Sequence, residues 1–252
     1  MSSLKIKGME IGNGKPKICV SIVERNLNDI LLYAKKILES DAEIVEWRAD
    51  FFENAINKNE VIQAAKSINN ILGNLPIIFT FRNKDEGGII NIDRSYYLEV
   101  IKSISEMGIF DFIDIELSKI DTYTKDIINE VKKNGTNVIM SYHIFKDDYK
   151  IENIIKLSQE MVNMDADIVK VALMCESPMR LIEILDFSQR FVSDYSIPSI
   201  VIAMGKEGAL SRVLGEKFGS SITFCSLEKS SAPGQINVSD AKKMINMVHK
   251  II

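Results

Sequence analysis

Histidine, cysteine and tryptophan are scarce in this chain: two, three and one among 252 residues. His143 and His249 are too few for a site built on several imidazoles. Cys19, Cys175 and Cys225 are odd in number and far apart, with neither CxxC spacing nor a neighbouring His. That excludes a disulfide framework and a zinc site and predicts three reduced packing residues. No basic block stands out, and 31 Lys and Arg against 35 Asp and Glu leave a net charge of −4, so the counterion-releasing face of a nucleic-acid binder is missing. No run approaches the roughly 18 apolar residues of a membrane span, and the opening MSSLKIKGMEIGNGKPK has no signal-peptide core. The expectation is a cytoplasmic protein, with no nucleic-acid or membrane partner, that handles a small soluble molecule.

What is present is a 46% hydrophobic chain of the length typical of an eightfold barrel, about 250 residues. Short Ile- and Val-rich runs alternate with segments of helical period, the pattern of parallel βα units. Strands are predicted at Lys17–Val23, Ala42–Ala49, Pro76–Arg82, Phe112–Leu117, Asn137–His143, Ala166–Leu173, Pro198–Met204 and Ser221–Leu227. Helices are predicted at Asn28–Ser40, Glu60–Leu72, Arg94–Met107, Asp121–Lys133, Ile151–Asn163, Pro178–Val192, Leu210–Phe218 and Ser239–Ile251. Asp93, Asp121, Ser177 and Ser239 are suitable N-caps. An open doubly wound sheet competes, but the turn after the first strand reads Glu24-Arg25-Asn26-Leu27-Asn28 rather than a Gly-rich phosphate loop. The α/β expectation is therefore a (β/α)8 TIM barrel forming one catalytic domain over residues 1–252, with an N-terminal hairpin in residues 1–16 closing its bottom.

Charged residues interrupt these apolar strands, and in a barrel each must face the interior or the helix layer. Val45, Trp47 and Ala49 share one face of their strand, Glu46 and Arg48 the other. Asp114 and Glu116 oppose Ile113, Ile115 and Leu117, and Lys170 faces away from Val169 and Val171. If these polar faces point inward, Glu46, Arg48, Arg82, Asp114, Glu116, His143 and Lys170 converge from five strands toward the C-terminal mouth, where barrel enzymes keep their sites. A buried ion-pair network that merely fills the barrel remains open for Asp114 and Glu116. For Lys170 it is the weaker reading, because an aliphatic residue fills that position without the cost of burying a charge.

A neutral lysine attacking a ketone forms a protonated imine, which acidifies the adjacent carbon. His143 would remove that proton and then hand it to a departing hydroxyl, an elimination of water. Glu86, in the loop Arg82-Asn83-Lys84-Asp85-Glu86-Gly87-Gly88, would orient His143 or carry protons.

At Glu46-Trp47-Arg48-Ala49-Asp50, Phe79-Thr80-Phe81-Arg82 through Glu86-Gly87-Gly88, Phe112 through Leu117, Ser141-Tyr142-His143, Val169-Lys170, Ala203-Met204-Gly205 through Ser211-Arg212, and Ser231-Ala232-Pro233-Gly234-Gln235, the chain resembles the type I 3-dehydroquinate dehydratase family. The likeness runs nearly end to end, with no departure at the motif positions. It implies that Lys170 forms an imine with the substrate ketone, that His143 is acid and base, and that Glu86 supports it. Arg212, Ser231 and Gln235 are implied to clamp the substrate carboxylate, the latter two on a mobile loop after the eighth barrel strand. Glu46, Arg48 and Arg82 are implied to bind ring hydroxyls, joined by Ser21, with Met204 and Phe224 as apolar contacts. The implied reaction is syn elimination of water from 3-dehydroquinate to 3-dehydroshikimate in the shikimate pathway (aromatic amino acid biosynthesis), without metal or organic cofactor, in a homodimer.

Two other readings stay open on residues alone. A barrel aldolase also forms an imine on a strand lysine but needs a phosphate grip, which the loops at Gly205–Gly208 and Ser230–Gln235 imitate. A silent scaffold barrel is the other, although it has little reason to retain Lys170, His143 and Glu86 together.

Overall fold

The alternation along the strands sorts side chains into two layers, and the helical segments cover the outer one. The computed structural model describes residues 3–121 and 125–251. An antiparallel hairpin, β1 (Leu4–Ile6) and β2 (Met9–Ile11), precedes eight parallel strands: β3 (Lys17–Ile22), β4 (Ile44–Arg48), β5 (Ile77–Thr80), β6 (Phe112–Glu116), β7 (Asn137–Ile144), β8 (Ile168–Met174), β9 (Ser199–Met204) and β10 (Ile222–Cys225). Their order, β10-β3-β4-β5-β6-β7-β8-β9, is sequential, and a parallel bridge between Ser199 and Ser220 draws the two ends together. The expected barrel is thus present and nearly closed. Each strand begins or ends within two or three residues of its predicted bounds.

Strand β8 shows how the layers arise. Val169, Val171 and Leu173 pack outward with the helices, whereas Ile168 and Ala172 belong to the inner cluster and Lys170 shares their parity. The lower interior is filled by Cys19, Ile44, Ile78, Phe112, Ile139, Ile168, Ile200 and Ile222, mostly from the N-terminal halves of their strands. Ile11 of the hairpin is fully buried against them, with Leu4, Ile6 and Met9 beside it, so the hairpin closes the bottom. Each such side chain contributes about 1.5–3 kcal/mol by leaving water. Trp47 lies in the outer layer, as its parity predicts, 5.5 Å from the Phe79 ring and stacked on Phe110. All three cysteines are buried and free.

The outer layer comprises α1 (Leu27–Leu38), α2 (Lys58–Leu72), α3 (Arg94–Glu106), α4 (Asp126–Lys133), α5 (Ile151–Asn163), α6 (Pro178–Asp194), α7 (Gly215–Phe218) and α8 (Val238–His249). Asp93 and Ser177 cap α3 and α6 as expected, accepting from the Tyr96 and Arg180 amides. Ser239 does not cap α8; Asn237 does, and Ser239 donates to it through both N–H and Oγ. The helix α4 begins at Asp126 with Lys125 at its N-cap position, so Asp121 is not its cap; Asp121 accepts from Arg94 at 2.7 Å. Residues 122–124 of that predicted helix lie outside the described residues. The predicted helix Leu210–Phe218 is broken in two. A 3-10 turn (Ala209–Arg212) precedes the single turn of α7, and the break releases Arg212 toward the barrel mouth. Gly215, a poor helix former, sits at the junction.

Candidate active site

The cleft at the C-terminal mouth holds about 550 Å³ of space, part of it open to solvent. Its lining includes Glu46 and Arg48 from β4, Arg82 and Glu86 from the segment after β5, His143 from β7, Lys170 from β8, Met204 from β9 and Phe224 from β10. Arg212, Ser231 and Gln235 close it from the loops after β9 and β10.

Beneath the cleft, acids and bases are paired with little access to water. Lys170 is 4% exposed; its Nζ donates to Asp114 Oδ2 at 2.8 Å, lies 3.5 Å from Glu46 Oε1, and sits 4.4 Å from the centre of the Phe224 ring. Asp114 also accepts from Arg82 Nη2 at 2.7 Å and Ser141 Oγ at 2.5 Å. Burial pushes the Asp114 carboxyl up, but Arg82 and Lys170 outweigh it and hold the group well below the usual carboxylate range. Glu46 behaves likewise: burial opposes its ionisation, while Lys170 and Arg48 prevail and lower it. Ser21 and Thr80 fix its two oxygens at 2.6 and 2.9 Å. Arg48 forms a bidentate pair with the fully buried Asp50, at 2.7 and 2.8 Å, the strong fork geometry of guanidinium and carboxylate.

Glu86 reaches His143 because two glycines let its loop double back. Gly87 adopts a left-handed conformation, φ +85°, and a Cβ on Gly88 would lie 1.9 Å from the Arg82 carbonyl oxygen, so neither place suits a side chain. The turn aims Glu86 Oε2 at His143, where it accepts from the backbone N–H at 3.1 Å and lies 3.0 Å from Nδ1. A carboxylate there makes Nδ1 the protonated nitrogen and leaves Nε2 as the free base. Burial pushes Glu86 up to about 7, against the pull of Arg82. Burial, then the charges of Arg82 and Lys170, push His143 well below its ordinary value, so the imidazole is neutral.

Arg212 differs from the other arginines of the site. Among the described residues no carboxylate lies within ion-pair distance of it, and its guanidinium donates to the carbonyls of Gly234, Phe224 and Pro233 at 2.7–3.2 Å. Burial pulls it down to about 10, still charged at neutral pH. A buried cation held only by carbonyls suits an incoming anion. Beside it, Gln235 Nε2 donates to Ser231 Oγ at 2.8 Å, and Ser231 Oγ donates to Ser21 Oγ at 3.1 Å.

Eleven of the twelve residues given a catalytic or substrate-binding role from the sequence line the cleft, while Asp114 and Glu116 lie beneath it, bound to Lys170 and Arg82. Ser21 is the exception; it stands behind the wall, between Glu46 and Ser231. The lining also contains Gly87, Phe145, Ala172, Ile202 and Ala232, none of which sequence reasoning placed there. Ala172 and Ile202 were legible from strand parity. Phe145 and Ala232 lie beyond strand ends, where alternation gives no direction.

The fold and cleft define a barrel enzyme whose polar cluster occupies the mouth. The model of the type I 3-dehydroquinase family matches residues 18–252. A 3-dehydroquinate dehydratase of Alkaliphilus oremlandii is 38% identical over 248 residues, 98% of this chain and 97% of that protein. The one of Clostridioides difficile is 36% identical over 250 residues, covering 99% and 98%. Among solved structures, the type I enzyme from Clostridium difficile with covalently modified comenic acid superposes with a TM-score of 0.95 at 36% identity, over 100% of this chain and 99% of that one. The 3-dehydroquinate dehydratase of Geobacillus kaustophilus also gives 0.95, at 30% identity, over 99% and 97%. The chain belongs to the type I 3-dehydroquinase family, enzymes of the hydro-lyase class.

Proposed function

We propose that this chain, as one catalytic domain over residues 1–252, dehydrates 3-dehydroquinate to 3-dehydroshikimate through a Schiff base on Lys170. The observation that carries the reading is that a buried lysine, a neutral histidine backed by a carboxylate and an arginine with no acidic partner among the described residues line one cleft. Lys170, once its ammonium has given up a proton, attacks the ketone carbon; water leaves and a protonated imine remains. His143 Nε2 takes the proton from the adjacent carbon, with Glu86 stabilising the imidazolium through Nδ1. The same imidazolium protonates the departing hydroxyl on the same face, which gives syn elimination. Water then hydrolyses the imine and returns Lys170. Asp114 and Glu46 keep the iminium charge neutralised where water is excluded.

Arg212, Ser231 and Gln235 hold the substrate carboxylate, while Glu46, Arg48 and Arg82, with Ser21 behind them, address the ring hydroxyls and Met204 and Phe224 the ring itself. The resemblance carries a cytoplasmic homodimer in the shikimate pathway; among the described residues no helix is long and apolar enough to cross a membrane. The test is the rise of ultraviolet absorbance as 3-dehydroquinate becomes the conjugated enone 3-dehydroshikimate. Wild-type protein produces it and Lys170→Ala does not. Absence of product with wild type, together with retro-aldol cleavage of phosphorylated ketoses, would favour the aldolase instead.

A further inference from the structure

Glu86 gives its two oxygens to different partners. Oε2 faces His143, as described, and Oε1 accepts from Ser118 Oγ at 2.6 Å. Ser118 lies in the 3-10 turn Leu117–Lys119 that follows β6, the strand next to β7, and its residue is exposed whereas Glu86 is buried. We propose that Ser118 is a positioning residue for the elimination: its hydroxyl clamps Glu86 Oε1, so that Oε2 is held against His143 Nδ1 in the ionised form. This rests on the reading of Glu86 and His143 as the acid–base pair.

The physical case starts from the carboxylate. The terminal torsion of a glutamate is soft, so a single contact on one oxygen does not fix the other. Arg82 Nη1, 3.8 Å from Oε2, competes with His143 for that oxygen. A short O–H···O bond to the charged form is charge-assisted and favours ionisation. The ionised Glu86 accepts the Nδ1 proton strongly and balances the charge of the imidazolium when Nε2 has taken its proton, whereas the neutral acid accepts only weakly and supplies no charge. The charged groups around it are Arg82 on its own segment, Arg48 from β4, and Asp114 and Glu116 from β6, beside the neutral but titratable His143 from β7. Replacement of Ser118 alters none of them, and an exposed serine is removed without opening the core.

The experiment compares pH profiles of kcat and kcat/KM for wild type, Ser118→Ala, Ser118→Thr and Glu86→Gln. Loss of the hydroxyl raises the proton affinity of Glu86, so the acidic limb of Ser118→Ala moves up by about half to one pH unit. With the wild-type limb near 7, a shift of that size lowers the rate at about pH 6.5 by roughly 3- to 8-fold and leaves it within about twofold of wild type near pH 9. Ser118→Thr keeps the hydroxyl and the wild-type limb. A purely structural role scales the rate equally at every pH; an Ala profile with the limb unmoved overturns the proposal. If Glu86→Gln retains the wild-type limb, the acid–base reading itself fails, and the role of Ser118 with it.

Discussion

Lys170 Nζ and Asp114 Oδ2 meet at 2.8 Å in the barrel interior, where the two residues are 4% and 1% exposed. The contact joins neighbouring concerns, since Asp114 also neutralises Arg82, and Arg82 in turn binds Glu116 and Ser141. Loss of one carboxylate therefore leaves two buried cations short of a partner.

Asp114→Ala is expected to cost about 3–5 kcal/mol, the usual penalty for breaking a buried pair from one side. The sign with pH follows from the depressed carboxyl. Its folded value lies below the unfolded one of about 4, so its stabilisation is present above about pH 4 and is lost as the pH falls through the folded value. Denaturant unfolding at pH 7 and near pH 3 checks this: the deficit of the variant is large at the first and smaller at the second.

The acid–base pair predicts how the rate depends on pH. Burial has pushed Glu86 up to about 7, and a proton taken up there weakens the acceptor for His143 Nδ1 and removes the charge that stabilises the imidazolium. kcat/KM should fall below about pH 7, and Glu86→Gln should remove that limb along with most of the activity. A wild-type profile flat down to pH 5 would contradict it.

Arg212→Ala should raise KM by about 10- to 100-fold, the loss of one or two charge-assisted bonds at about 1.5–3 kcal/mol. Arg212→Lys should fall between, because an ammonium lacks the guanidinium fork. Steady-state kinetics decides: a large fall in kcat at unchanged KM would mean that the arginine acts only in the transition state.

Gly87→Ala tests the loop that aims Glu86. At φ +85° a side chain costs about 1–2 kcal/mol, and its Cβ would also displace the Phe145 ring, 2.2 Å away. The variant should fold, lose stability by that amount and lose activity disproportionately, measured by thermal unfolding beside kcat.

Strand parity made most of the barrel and its interior charges legible. Lys170 and Glu46 had to point inward once their neighbours pointed out. Parity ends with the strand, however. Asp50, one turn past β4, appeared only as part of a motif, though it binds Arg48 and the Arg82 and Ile89 amides. Ser118, on the 3-10 turn after β6, and Phe145, directly after β7, likewise lie beyond strand ends. Helix caps were read from residue type alone, and type does not distinguish Asn237 from Ser239, or a cap from an arginine partner at Asp121. Parity alone does not decide whether Asp114 and Glu116 fill the barrel or serve the site, and proximity to Lys170 and Arg82 gives Asp114 a part in both.

Borohydride trapping tests the central claim most directly. Protein incubated with 3-dehydroquinate and reduced should gain the mass of a reduced substrate- or product-derived adduct, on the peptide containing Lys170 alone, and Lys170→Ala should gain none. If 3-dehydroshikimate forms while no adduct is trapped, or if the adduct maps to another lysine, Lys170 is not the nucleophile.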